Sequence, residues 1–260
     1  MLLYIKVKKH TGSIHMFKYF LYTQETIPEG LGWDHYSFSH LLWIFSSVVA
    51  MVIICRHYNS LPADKRMDYR KKFAWSIVFV EIMKTIVISS VGRYTVDYLP
   101  LHLCSINVFV ILFHAYRPNE IVGQSMYALC LPGAIVALVF PMWNALPNFN
   151  YMNIHSFVMH TQLCAYALML LTSGEVVPSL RLLPKCALGI FSVAPFIYIF
   201  NMIFGTNFMF INEPQPNSPL EILGDLMGNP GYLVGFFFLV VVVWILMFIP
   251  WEIAARKKRS

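Results

Sequence analysis

The stretch YLVGFFFLVVVVWILMFIPW, residues 232–251, runs for about 20 residues without a charged side chain. A helix of that length rises about 30 Å, the thickness of a bilayer's hydrocarbon core, so the stretch reads as a membrane-spanning helix. Six further apolar stretches of about this length, with few charges, lie upstream, at 36–55, 72–91, 98–116, 121–141, 153–172 and 183–203. The sequence therefore predicts an all-α polytopic bundle of seven helices. Pro132, Gly133 and Pro195 fall inside spans, which lipid-embedded helices tolerate when neighbours satisfy the freed backbone groups.

Composition agrees with the spans. The 260 residues are 58% hydrophobic, 16% aromatic and only 12% charged, whereas soluble domains carry about a quarter charged residues. A soluble enzyme or binding domain is excluded. The net charge of +6 sits in the loops, where a membrane protein needs it, and implies no nucleic-acid partner. Cys55, Cys104, Cys130, Cys164 and Cys186 lie in or beside spans without CxxC or zinc-like spacing. Neither a disulfide framework nor a metal or cofactor site is expected.

Three parts follow: an extracytoplasmic segment at 1–35, the seven-helix domain at 36–251 and a basic cytoplasmic tail at 252–260. The first part holds Lys6, Lys8 and Lys9, but His15 and Lys18 interrupt its apolar run, so it does not read as a signal peptide. Met16 is an alternative native start to Met1, and the first span then serves as an uncleaved membrane signal.

Orientation follows from lysine and arginine, which remain in the cytoplasm. Arg56, Lys65, Arg66, Arg70, Lys71 and Lys72 lie around the first connection, Arg117 in the third, Arg181 and Lys185 before span six, and Arg256 to Arg259 in the tail. The alternate loops contain only Arg93. The N-terminus is therefore expected outside and the C-terminus in the cytoplasm.

Once direction is fixed, the polar residues inside spans converge. Glu81 and Lys84 on span two, His102, Cys104 and Asn107 on span three, His155 and His160 on span five and Asn201 on span six all fall in the outer half. Glu81 and Lys84, three residues apart, stack on one helix face and can neutralise each other. As a structural bridge they lock helices; as a site they contact a headgroup or ion. A membrane-embedded cysteine is ordinarily a small packing residue, and a nucleophile needs a base. On a regular helix His102 stands about 200° around from Cys104, so His160, at similar depth, is the better base, with Asn107 sharing the Cys104 face. The acidic loop 205–231 contains Phe208-Met209-Phe210-Ile211, an apolar run expected to fold back over the outer end as a lid.

The run Leu99-Pro100-Leu101-His102-Leu103-Cys104 is followed by Gly205-Thr206-Asn207-Phe208-Met209-Phe210, then Glu213-Pro214, Ser218-Pro219-Leu220, Leu223-Gly224 and Tyr232. In order and spacing this resembles the YwaF-type family of bacterial multi-pass membrane proteins over most of the chain from Tyr36 to Trp251. That family is similar to a eukaryotic enzyme that moves acyl chains between phospholipids through a cysteine in the same Leu-His-Leu-Cys position. The resemblance implies a phospholipid acyltransferase in a bacterial cytoplasmic membrane, with Cys104 as nucleophile and His160 as base and then acid. His102, Asn107, Glu81, Lys84, Asn201 and His155 are the supporting polar residues, and membrane phospholipids are the partners. Phe208 stands where the family pattern has Tyr, and Asn229-Pro230-Gly231 precedes Tyr232 where an aromatic is typical. A non-enzymatic transporter or solute-binding protein using Glu81, Lys84 and the outer-half histidines is the alternative.

Overall fold

Prolines stand at the start of several helices of this chain. The computed structural model describes residues 18–257, so the N-terminal lysines, the alternative start at Met16 and the last basic residues lie outside the described region. Eight helices follow: α1 (Phe38–Ser60), α2 (Ala63–Ser90), α3 (Leu103–Tyr116), α4 (Glu120–Val139), α5 (Tyr151–Thr172), α6 (Leu183–Phe204), α7 (Pro219–Met227) and α8 (Tyr232–Lys257). Six of them, all except α3 and α7, are long and apolar enough to cross a membrane.

The stretch read as span 98–116 is helical only from Leu103. Pro100 disfavours helix at the residue before it, and Leu99 accordingly adopts φ −59° and ψ 147°. His102 is likewise extended, at φ −67° and ψ 151°, and forms the N-cap of α3. At 14 residues α3 rises about 21 Å, and the irregular segment ahead of it, a 3-10 turn at Val96–Tyr98 and a tight turn at 99–102, lies partly against protein, where irregular backbone at membrane depth is tolerated. In α2 the difference is opposite: the helix starts at Ala63, nine residues before the apolar span begins at 72, because Asp64, Lys65 and Arg66 extend it as a polar turn.

Pro132 leaves its mark on α4. Residues Met126–Cys130 form a π turn, and proline brings no N–H to the carbonyl of Ala128 one turn earlier. Trp244 of α8 satisfies that carbonyl with its indole Nε1–H at 2.7 Å. The free backbone acceptor thus becomes an interhelical tie. A second tie fixes α1: His40 accepts the Tyr36 N–H at Nδ1 (2.9 Å) and donates from Nε2 to the Leu138 carbonyl (2.9 Å).

Helix α5 is the centre of the bundle. Two-thirds of its apolar window, 67%, is buried, against 17% for α1 and α8 and 11% for α6. It packs on α1, α2, α3 and α4 through a core that includes Phe157, Leu163, Tyr166 and Met169. The outward faces of α1, α6 and α8 carry exposed Phe45, Phe196 and Leu246. Such a surface is stable in hydrocarbon and not in water.

Contacts between connections define two ends. At one end Tyr58, Arg66 and Arg70 meet Glu175, and Glu252 of α8 accepts the Leu180 N–H. This end holds the arginine- and lysine-rich connections. At the other end Trp33 donates its backbone N–H to Asn144, Asn150 binds the carbonyls of Tyr19 and Tyr22, and the long 205–231 connection folds over the helix tips.

Candidate functional site

The polar residues of α2, α3 and α5 meet near the second of these ends. Glu81 and Lys84 are one helical turn apart on α2, and Lys84 Nζ donates to Glu81 Oε1 at 2.6 Å. The same oxygen accepts from Ser105 Oγ of α3 at 3.2 Å. Glu81 Oε2 faces His155 Nε2 of α5 at 3.6 Å, too long for a hydrogen bond, and both atoms are buried without another partner. Three helices are therefore joined through one carboxylate. Within the apolar bundle the ion pair offsets the cost of burying either charge alone.

Cys104 is the second residue of α3, packed at the edge of the main core. The N–H groups of a helix's first turn have no intrahelical partner and present donors to a group lying at the helix start. Glu81 and Lys84 are the thiol's charged neighbours. Cys130 of α4 has both Cys104 and Cys164 as electrostatic neighbours, and Cys164 follows His160 by one turn of α5. Among the described residues no hydrogen bond joins Cys104 to a histidine.

His160 is held in one tautomer. Its Nδ1 lies 2.7 Å from the Ser156 carbonyl, and because a carbonyl only accepts, Nδ1 carries the proton. The lone pair is left on Nε2, which has no hydrogen bond among the described residues. Asn107, one turn beyond Cys104, is only 4% exposed, and its amide is also uncommitted among these residues.

His102 does not present its ring as a helical residue would, because it precedes the helix. Its Nδ1 accepts the Met209 N–H at 3.3 Å, and its ring packs against Phe208 and Phe210 at centroid distances of 5.1 and 5.2 Å. The apolar run of the 205–231 connection does fold back: Phe208 and Met209 are buried against Leu99, Leu101, Leu103 and Ile106. Met209 and Phe210 both take left-handed backbone, at φ 60° and 55°, which side chains other than glycine adopt at a cost.

Asn201 belongs to this cover. Its Nδ2 donates to the Phe208 carbonyl (3.0 Å) and to Asn212 Oδ1 (2.7 Å), while its Oδ1 accepts from Phe208 N (2.9 Å) and Thr206 Oγ1 (2.9 Å). The amide is fully used in shaping the loop and has nothing left for a ligand. Sequence reasoning missed Ser105 and the clasp on His102. Ser105 carries a signal, a hydroxyl beside the candidate nucleophile in the first helical turn; the clasp carries none, because its donor is a backbone amide 107 residues away.

Searches of curated proteins and of solved structures return no match. The match that is found carries a different name from the YwaF-type one suggested by the motifs, and covers most of the same region. It is the model of the TMEM164 family, and it spans residues 31–248, from before α1 to well inside α8. This is more than four-fifths of the chain and takes in every residue of the polar cluster and its cover. The chain is an integral, multi-pass membrane protein that belongs to the TMEM164 family.

Proposed function

We propose that this protein moves acyl chains between membrane phospholipids through a thioester on Cys104. In this reading residues 36–251 span the membrane seven times, with α3 and its extended lead as the shortest crossing. Residues 1–35 and the Cys104 end lie outside, and the tail at 252–260 lies in the cytoplasm. The bacterial cytoplasmic membrane is the location the motif resemblance favours. The observation that carries the reading is the tautomer of His160, whose Nε2 lone pair is free on the interior helix that packs against α3.

His160 Nε2 takes the thiol proton and the Cys104 sulfur attacks the ester carbonyl of a donor phospholipid. The carbonyl oxygen becomes an oxyanion, for which the first-turn N–H groups of α3 and the Asn107 amide are the available donors. The C–O bond then breaks, and the leaving lysophospholipid alkoxide recovers the proton from His160. The thioester remains on Cys104. An acceptor lipid hydroxyl gives its proton to His160 and attacks the thioester; the C–S bond breaks and the thiol is restored. Glu81, Lys84, Ser105 and His155 hold the three helices in register beneath this chemistry. The Phe208–Phe210 cover, clasped on His102, keeps water from the thioester.

The test is acyl exchange between labelled phosphatidylcholine and a lysophospholipid by the purified protein in nanodiscs. Loss of exchange in both Cys104→Ala and His160→Ala, with the fold intact, supports the reading; exchange that survives Cys104→Ala contradicts it.

One observation favours a second reading. Glu81 Oε2 and His155 Nε2 are buried, unpartnered and 3.6 Å apart, an arrangement that suits a proton or small cation passed between helices in a transporter. Proton-coupled flux in proteoliposomes that is lost in Glu81→Gln and kept in Cys104→Ala would select it.

A further inference from the structure

The end of the bundle farthest from Cys104 contains a cleft of about 470 Å³, within the usual range of small-molecule pockets. Its polar lining comes from four elements: Arg70 of α2, His114 of α3, Asn119 and Glu120 at the start of α4, and Glu175 after α5. None of these residues takes part in the chemistry proposed at Cys104.

The carboxylate on its inner wall is neutralised from outside the cleft as well as from within. Glu175 is shared by two guanidinium groups, with Arg70 Nη1 on Oε2 and Arg66 Nη1 3.6 Å from Oε1, and it also accepts the Tyr58 hydroxyl at 2.6 Å. One carboxylate thus faces two cations. The Arg70 side chain is only 10% exposed, yet of its three nitrogens only Nη1 has a partner among the described residues, and Nε is buried with none. A guanidinium offers five N–H donors in a planar fork.

His114 adds a donor. Its Nδ1 lies 2.9 Å from the hydroxyl of Tyr166, which is fully buried and has no other partner among the described residues. With the hydroxyl donating, Nδ1 accepts and the proton is on Nε2. That N–H has no acceptor among the described residues. Gly123 packs its backbone against His114 and Val176, since a Cβ there would stand 3.3 Å from His114 Nε2 and 2.7 Å from Val176 Cγ2. Glu120, exposed on the rim, is the opposing charge.

Unspent donors on a buried guanidinium whose carboxylate partner is shared with Arg66 suit an acceptor-rich anion. We propose that this cleft binds a phosphate oxyanion, presented either as a lipid phosphate from the adjoining leaflet or as free phosphate, with Arg70 and His114 Nε2 as its donors. Because the cleft is remote from Cys104, the proposal stands or falls independently of acyl transfer.

The test uses the full chain in phosphatidylcholine nanodiscs, titrated with inorganic phosphate against chloride at constant ionic strength, with thermal unfolding as readout. A parallel arm uses nanodiscs containing phosphatidic acid. Arg70→Lys keeps a cation for Glu175 but removes the fork, and weakens the response by about tenfold. Glu120→Gln removes a rim charge that has no side-chain partner among the described residues, and strengthens the response about twofold to fivefold. Stabilisation by inorganic phosphate assigns free phosphate; stabilisation only in phosphatidic acid discs assigns a lipid phosphate; either supports the site. No stabilisation in either arm overturns the proposal, as does a response that both variants leave unchanged.

Discussion

Glu81 commits Oε1 to Lys84 and Ser105 and leaves Oε2 facing His155, so its role is separable from that of its partners. Removing either member of the ion pair strands a charge in an apolar bundle, at about 3–5 kcal/mol. The double variant Glu81→Gln with Lys84→Met is expected to cost much less than the sum of the singles in thermal unfolding; additive losses would mean that the two do not act as a pair. Asn201 is a different case, since its four hydrogen bonds all hold the cover. Asn201→Ala is expected to lower stability by about 2–4 kcal/mol. It should also raise amide exchange at 206–212, and unchanged exchange there would refute the assignment. The pair on α2 was legible from its i, i+3 spacing. Ser105 as its partner was not, because hydrogen bonds between helices leave no periodic trace. The placement of His102 by angle around a helix failed for a local reason: the extended backbone imposed around Pro100 carries the residue outside the helix.

At the scale of elements, Pro132 and Trp244 form one device. Trp244→Phe leaves the buried Ala128 carbonyl without its donor and is expected to cost about 1–3 kcal/mol in thermal unfolding. In a Pro132→Ala background the restored N–H at 132 can bind that carbonyl, so the same substitution should cost distinctly less; an equal cost in both backgrounds would exclude the pairing. The existence of the long apolar helices was readable from run length and hydropathy. Their limits were less so, as α2 shows by continuing outward through Asp64, Lys65 and Arg66. The short helix α7 within the 205–231 connection was not expected, although Ser218 caps it through Leu220 N and Pro219 stands in its first turn. The return of Phe208 and Met209 onto the bundle was foreseeable, because such a run is unstable in water; the left-handed backbone that permits it was not.

For the molecule as a whole, the separation of basic connections from the Cys104 end makes orientation measurable. With cysteines placed singly at Lys65 and Asn217, in a background where the native thiols are protected, an impermeant maleimide should label position 217 from outside intact cells and position 65 only after permeabilisation. Labelling of both from one side would break the seven-span arrangement. Sequence sufficed for an all-helical membrane bundle and for the grouping of Glu81, Cys104, His155 and His160 near one end, because depth follows from residue count along a helix. It did not reveal the Arg70 and His114 cleft, whose members are drawn together only by the packing of four elements.

The measurement that bears most directly on the central claim is the intact mass of the protein purified from phospholipid nanodiscs, before and after hydroxylamine. The account expects an added acyl mass on the native chain that maps to Cys104, is released by hydroxylamine, and is missing from Cys104→Ala. A folded native protein that never carries the adduct across several phospholipid mixtures, or that carries it equally after Cys104→Ala, would contradict the account.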